Sequence, residues 1–302
     1  MAGLRRYFLT DGPLRERLEG IFSALPQRSV SLIGQAPLGG SQVAEWDFES
    51  PDSWRWHTGI IADDLSLDSE GQMRQIFEKY EQLQASEFMT VADHCLRTWI
   101  FVRDIDHNYA GVVRGRKDYF ETIGLTPETH FIASTGIAGT HRDPRVLVVM
   151  DALAIPDVDP TTVRYLKGAS HLSPTADYGV TFERGTSFAY DGLRYTLISG
   201  TASIDNQGQV LYPGDVSRQT MRSLENIRTL LAEDGTDFKH VPSALVYLRN
   251  PEDAAAVRTV LDRELPCLDY LLLHAPVCRP SWLVEIECIA VRKALSWGRS
   301  NA

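Results

Sequence analysis

The C-terminal part of this chain repeats the pattern of its middle. Residues 282–291 align with residues 146–155, and both segments are apolar stretches typical of a buried strand. Upstream of each lies an amphipathic helix pattern, followed by an apolar stretch that ends in an arginine, Arg249 in the late copy and Arg103 in the early one. The period of roughly 140 residues is far longer than a solenoid repeat. The sequence therefore predicts a duplicated domain.

Each copy reads as strand, helix, strand, helix, strand. This order predicts an α+β fold in which the helices cover one face of each sheet. The predicted helices are residues 71–86, 109–123, 217–232 and 253–264.

A chain of 302 residues is long enough for two domains that each bury a core. Pro156, Pro160 and the polar stretch after them predict the connection between the copies. We therefore expect an N-terminal domain of residues 1–156 and a C-terminal domain of residues 157–302. The residues that precede Pro51 read as mixed short strands and turns.

Composition excludes several classes of function. A formal net charge of -10 argues against nucleic acid or an anionic membrane as a partner. No apolar run reaches the roughly 20 residues that span a bilayer, and charged residues at 11, 15 and 16 interrupt the start too early for a signal peptide. We expect a cytoplasmic protein with free thiols, because its four cysteines form no CxxC pair. Neither a metal-ligand spacing nor a phosphate-binding glycine motif is present.

The two copies differ at one informative position. Glu285 lies in the middle of the last strand, where the early copy has Val149. Strand alternation places Glu285 and Glu287 on the same face, away from the helices. Glu287 aligns with Asp151 and is therefore expected to support the structure, for instance by pairing with an arginine. Glu285 has no acidic counterpart, so it is either a solvated strand residue or the centre of a site.

Four segments of the second half resemble the Rid family (the YjgF/YER057c/UK114 proteins). They are residues 198–200, 223–227, 246–250 and 284–290. Rid proteins are trimers with clefts between subunits, and the resemblance implies that a duplicated chain forms such a cleft internally. It favours a monomer, and a trimer stays open.

The whole chain resembles a derivative of that family, the chorismatases. The resemblance is carried by residues 97–106 with Tyr109 after them, by residues 133–137 and by residues 178–186. It implies two tandem Rid-like units (a YjgF/chorismate-mutase-like fold), with a degenerate N-terminal unit, a catalytic C-terminal unit and a site at their interface. It also implies release of pyruvate from chorismate, a small-molecule substrate, with no metal or organic cofactor.

Cleavage of the enol ether in chorismate requires a proton donor, which a carboxylic acid with a raised pKa can supply. The resemblance places the catalytic glutamate at Glu285, where burial and the neighbouring Glu287 would both raise the pKa. Tyr109 and Arg116 are seven residues apart and so share a helix face. We expect Arg116 and Arg258 to bind the two substrate carboxylates and Tyr109 to add a hydroxyl group. The alternative for each arginine is an ordinary surface position.

The resemblance also implies the product. Chorismatases that form 3-hydroxybenzoate resemble this chain in pairing a glycine, here Gly200, with a cysteine, here Cys278. The small residue would leave room for the ring to shift, and the polarizable thiol would assist aromatisation; alternatively, Cys278 is simply a buried apolar residue. Three alternatives stay open: hydrolysis to a dihydroxycyclohexadiene carboxylate or a mixture of 3- and 4-hydroxybenzoate, a Rid-type imine or enamine deaminase that uses Arg279, and a non-catalytic ligand-binding relative.

Overall fold

A computed structural model describes residues 2–10, 18 and 29–294. Its strands are β1 (Ala2–Leu9), β2 (Ser29–Gly34), β3 (Ala36–Pro37), β4 (Val43–Ser50), β5 (Arg55–Ile60), β6 (Cys95–Val102), β7 (Ala133–Ala138), β8 (Val148–Ala154), β9 (Arg164–Leu166), β10 (Gly185–Tyr190), β11 (Leu193–Ala202), β12 (Ser243–Leu248), β13 (Asp269–His274) and β14 (Val284–Lys293). Its helices are α1 (Ser69–Ser86), α2 (Val91–His94), α3 (Ile105–Thr122), α4 (Val216–Glu233) and α5 (Ala254–Glu264).

The repeat predicted from the sequence is present in the sheet topology. One sheet has the strand order β5-β8-β6-β7, and the larger sheet contains β11-β14-β12-β13 in the corresponding order. In each, the last strand runs antiparallel to both of its neighbours, while the remaining pair, β6–β7 or β12–β13, is parallel. The α+β class and the tandem Rid-like units are therefore confirmed. The boundary between residues 156 and 157 stays a prediction.

The strand registers confirm which positions correspond. Val149 lies opposite Phe101 in the first sheet. Glu285 lies opposite Tyr247 in the second sheet. The carboxylate therefore occupies the position that an apolar side chain fills in the other unit.

Helices α1 and α4 begin where the sequence supplies a capping aspartate. Asp68 accepts a hydrogen bond from the backbone N–H of Gly71 at the start of α1, and Asp215 accepts one from Arg218 at the start of α4. Such caps satisfy backbone donors that the first helical turn leaves unpaired. The apolar faces predicted from the periodicity are buried: Met73, Ile76, Phe77 and Tyr80 in α1, and Leu224, Ile227 and Leu231 in α4.

A third sheet at the start of the chain was not predicted as such. Strand β1 pairs with β2 in parallel and with β4 antiparallel, and β3 joins the edge of the larger sheet beside β13. This sheet contributes Leu4 and Phe8 to a core shared with both units. Arg6 is completely buried there and donates to Asp151 of β8 at 2.8 Å. In a sequence, an arginine in the middle of a short segment indicates an exposed position. For this reason the sequence did not predict β1 as a buried strand.

Three further observations concern the described part of the chain. None of its helices is long and apolar enough to cross a membrane. Among residues 2–10, 18 and 29–294, no group of three or more histidine, cysteine, aspartate or glutamate side chains is arranged to hold a metal ion. All four cysteines carry free thiols, as predicted. The cytoplasmic location stays a prediction.

Candidate active site

A pocket that holds about 510 Å³ of empty space, part of it open to solvent, lies between the two units. Helix α3 and strand β7 of the first unit form one wall. Strand β11, the start of β14 and two loops of the second unit form the other wall. The residues that line it are Tyr109, Arg116, Ser134, Gly136, Val180, Phe182, Arg184, Gly200, Ala202, Ile204, Cys278, Arg279, Trp282 and Glu285. Five of the six residues predicted from the sequence therefore meet around one cavity.

Glu285 projects from β14 into this pocket and is only 4% exposed. Burial raises the pKa of its carboxyl group to about 8, and the negative charge of Glu287 adds to the rise, while Arg97 and Arg184 oppose it. Burial disfavours the charged form of a carboxylic acid because water no longer solvates it. At neutral pH Glu285 is therefore mostly a neutral acid that can donate a proton.

Gly200 makes room for this carboxyl group. The pairing of β11 with β14 is irregular between Ile198 and Thr201, which brings the backbone of Gly200 close to Glu285. A Cβ atom at position 200 would lie 2.0 Å from Oε1 of Glu285. Any larger residue here requires the carboxyl group to move.

Tyr109 and Cys278 lie side by side in the pocket and interact through their side chains. Burial raises the pKa of the Cys278 thiol to about 12, and the negative charge of Glu285 adds to this effect. Burial also raises the pKa of the Tyr109 hydroxyl well above its ordinary value. Both groups are therefore neutral at neutral pH, so the thiol is a polarizable neighbour rather than a nucleophile.

Three guanidinium groups line the pocket. Arg116 is 2% exposed, and its Nε donates to Oγ1 of Thr181 at 3.0 Å. Arg184 is also buried and donates to a backbone carbonyl at 2.9 Å. Arg279 lies over the ring of Trp282, 5.0 Å from its centroid. Such an arrangement suits an anionic ligand with more than one carboxylate.

Arg184 was not predicted as a site residue, although it lies in segment 178–186, which carried the resemblance. Arg279 was predicted only for the deaminase alternative, in which an arginine of the loop before the last strand binds an amino-acid carboxylate.

The structure does not bring Arg258 into this pocket, which corrects the expectation for that residue. Its guanidinium donates instead to the backbone carbonyl of Leu38, in the turn that follows β3. Helix α5 packs against α4 on the outer side of the sheet. Arg258 consequently anchors the N-terminal segment to the second unit.

Glu287 has the supporting role that its repeat partner predicts. Its carboxylate accepts hydrogen bonds from Arg97 and Thr135, from the Tyr247 hydroxyl at 2.6 Å and from Nε1 of Trp99 at 3.0 Å. The equivalent Asp151 binds Arg6 and the backbone N–H of residue 59 in the other unit. Both carboxylates are thus ion-paired inside the core.

The two arginines that end the repeated strands also have supporting roles. Arg103 donates to the backbone carbonyl of His141 at 2.6 Å. Arg249 forms an ion pair with Asp106 at 2.9 Å and so joins the second unit to helix α3 of the first.

The fold is similar to that of one solved chorismatase over most of both chains. The TM-score is 0.69 at 18% sequence identity, and the match covers 95% of this chain and 92% of that one.

The sequence relatives match a third of this chain or less. The family model described as endoribonuclease L-PSP matches residues 189–292. DfrA of Myxococcus xanthus is 34% identical over 73 residues, which are 24% of this chain and 56% of DfrA. The 3-aminoacrylate deaminase RutC of Acinetobacter baylyi is 28% identical over 100 residues, 31% of this chain and 75% of that protein. A RutC family protein of Pyrococcus abyssi is 32% identical over 101 residues, 33% of this chain and 80% of that protein. The chain therefore belongs to the RutC family.

Proposed function

We propose that this protein is a chorismatase that converts chorismate to 3-hydroxybenzoate and pyruvate without a cofactor. The observation that carries the proposal is the buried carboxyl group of Glu285 in a pocket with three guanidinium groups. The likeness in fold to a chorismatase, which extends over both units, supports it.

The charges of the pocket complement this substrate. Chorismate carries two carboxylates, and Arg116, Arg184 and Arg279 supply fixed positive charges that can bind them bidentately. Tyr109 adds a neutral hydroxyl donor on the wall formed by α3.

Glu285 acts first as the general acid. It donates its proton to the methylene carbon of the enol ether, which leaves an oxocarbenium-like carbon next to the ether oxygen. The bond between the ether oxygen and ring carbon C3 then breaks and pyruvate leaves. The oxygen of the neighbouring C4 hydroxyl forms a bond to C3, its bond to C4 breaks, and the ring loses the proton on C3 as it becomes aromatic with the hydroxyl group at C3. The two products together contain all the atoms of chorismate, so no water is consumed, and the ring proton can restore Glu285.

Gly200 and Cys278 determine the product in this proposal. Gly200 leaves space beside the acid in which the ring can shift, and the neutral thiol of Cys278 is a polarizable surface along which it moves. Hydrolysis would instead add water and give a dihydroxycyclohexadiene carboxylate.

A second candidate function is deamination of an imine or enamine. It is favoured by the 28% identity to a 3-aminoacrylate deaminase and by Arg279, which lies in the loop before the last strand and could bind an amino-acid carboxylate.

The test is to incubate the purified protein with chorismate, separate the products by chromatography and measure pyruvate. Glu285→Gln is measured alongside, with Glu225→Gln on the exposed side of α4 as the control. We expect pyruvate and 3-hydroxybenzoate, both lost in Glu285→Gln and unchanged in the control. Pyruvate with a diene acid would reject the roles of Gly200 and Cys278. Absence of pyruvate from chorismate, with ammonia released from 3-aminoacrylate in a separate assay, would favour the deaminase.

A further inference from the structure

Thr135 connects three groups that surround Glu285. It lies in β7 and is 1% exposed. Its hydroxyl oxygen accepts hydrogen bonds from the backbone N–H of Gly200 at 2.9 Å and from Nη2 of Arg97 at 2.5 Å, and its proton is donated to Glu287. The hydroxyl group therefore links the backbone next to the carboxyl of Glu285 to the buried ion pair behind it.

Glu287 places a fixed negative charge next to Glu285. It lies two residues further along β14, on the same face of the strand. Its carboxylate accepts hydrogen bonds from Arg97, Thr135, Tyr247 and Trp99, and these four donors fix its position.

The remaining charged groups near Glu285 are positive. Arg97 faces it from β6, and Arg184 faces it from the segment before β10. Arg116 from α3 and Arg279 from the loop before β14 line the same pocket. The titratable neighbours Tyr109 and Cys278, from α3 and the same loop, are neutral at neutral pH.

These arginines create a conflict for a site that binds a dicarboxylate. The positive charges that attract the substrate also favour the ionised form of a nearby carboxylic acid, which can no longer donate a proton. A buried negative charge behind the acid opposes that effect, and Glu287 raises the pKa of Glu285 accordingly.

We propose that Glu287 and Thr135 are positioning residues for Glu285: Glu287 offsets the arginines of the pocket, and Thr135 fixes both Glu287 and the Gly200 backbone against which the acid rests. The catalytic meaning of this network rests on the proposed function. The network itself does not, because it acts on Glu285 in the resting protein.

The test is an infrared titration of Glu285 without substrate. The carbonyl band of the protonated acid is isolated by subtracting the spectrum of Glu285→Gln, and its midpoint is followed against pH. In Glu287→Gln we expect the midpoint to fall by at least about one pH unit, the scale of shifts from a nearby charge. Asp151→Asn, which removes the equivalent buried charge from the other unit, is the matched control and is expected to leave the midpoint unchanged.

A midpoint that does not move in Glu287→Gln, or that moves equally in Asp151→Asn, would overturn the proposal. If Glu287→Gln does not fold, Thr135→Val and Thr135→Ser decide instead. The Thr135 hydroxyl donates to Glu287 and so partly offsets its negative charge. Without this donor, Glu287 acts more strongly on Glu285, and the titration midpoint of Glu285 rises in Thr135→Val. The midpoint stays in place in Thr135→Ser, which keeps the hydroxyl group. An unchanged midpoint in Thr135→Val would then reject the network.

Turnover separates the two proposals. If chorismate is the substrate, Thr135→Val lowers kcat more than it raises KM, and Thr135→Ser recovers kcat. If chorismate is not turned over but the titration shifts as expected, the network stands and the proposed function fails. If chorismate is turned over but the titration midpoint does not shift, the proposed function stands and the network is rejected.

Discussion

At the scale of single residues, the buried acid couples stability to pH. The pKa of Glu285 is about 8 in the folded protein, against an ordinary value of 4.5. Between these values the folded protein keeps a proton that the unfolded chain has released, so the free energy of unfolding falls as pH rises through this window. At pH values above the pKa of the folded state, both states have released the proton, and Glu285 causes no further fall in the free energy of unfolding.

Glu285→Gln removes this dependence. We expect the variant to gain stability relative to the parent as pH rises from about 5 to about 8, by several kcal/mol, because one pKa unit corresponds to about 1.4 kcal/mol. Urea denaturation of both proteins at several pH values measures the difference. The same slope against pH in both proteins would contradict the buried, protonated state of Glu285.

The sequence carried enough information to single out Glu285, because its twin in the repeat is Val149 and strand alternation defines its face. It could not place Arg258. Helical periodicity defines which residues share a face, but not what that face meets, and α5 turns this arginine towards Leu38. Arg116 lies in the pocket because α3, unlike α5, packs along the boundary between the units.

At the scale of elements, the irregular pairing of β11 with β14 determines where the acid lies. In Gly200→Ala the new methyl group would meet Oε1 of Glu285, which is the end of a flexible side chain. The carboxyl group is therefore expected to move while the sheet remains intact.

We expect Gly200→Ala to lower turnover on the order of 100-fold, since a misplacement of about 1 Å has costs of that size, with only a small drop in Tm. Product formation from chorismate and thermal melting measure the two effects. Gly39→Ala is the control, because its methyl group would make only an ordinary contact of 3.5 Å with Arg258. A large fall in Tm with turnover retained would contradict this account.

The elements of the repeat were predictable because each has a periodic pattern and the copies support each other. All four predicted helices are present, although α3 begins four residues earlier than expected, after Asp104 in a left-handed conformation. The sheet formed by β1, β2 and β4 has no twin in the repeat. Its central strand, β1, also buries Arg6, which interrupts the apolar pattern. This sheet therefore had neither a clear periodic pattern nor a second copy from which it could be predicted.

At the scale of the whole molecule, buried ion pairs connect the three sheets. Arg6 of β1 pairs with Asp151 of β8, and Arg97 of β6 pairs with Glu287 of β14. The first pair joins the N-terminal sheet to the first unit, and the second joins the first unit to the second. Such contacts between units could not be derived from the repeat, which specifies each unit separately.

Replacing one member of such a pair leaves a buried charge without its partner. We therefore expect Arg6→Met to lower the free energy of unfolding by about 3–5 kcal/mol, whereas Arg6→Met combined with Asp151→Leu recovers most of the loss, because two apolar residues leave no charge to desolvate. Urea denaturation measures both. Arg74→Met, which breaks a half-exposed pair with Asp118, is the control and should cost no more than about 1 kcal/mol.

The same variants test whether the sheets unfold together. The apolar core contains residues from all three sheets, so the tryptophan signal, four of whose six residues precede the second unit, and the loss of the protonated Glu285 band from the second unit are expected to share one unfolding midpoint. In Arg6→Met both signals should move to lower urea by the same amount. If only the tryptophan signals moved, the N-terminal sheet and the first unit would unfold separately from the second, and the site between the units would be lost while the second unit was still folded.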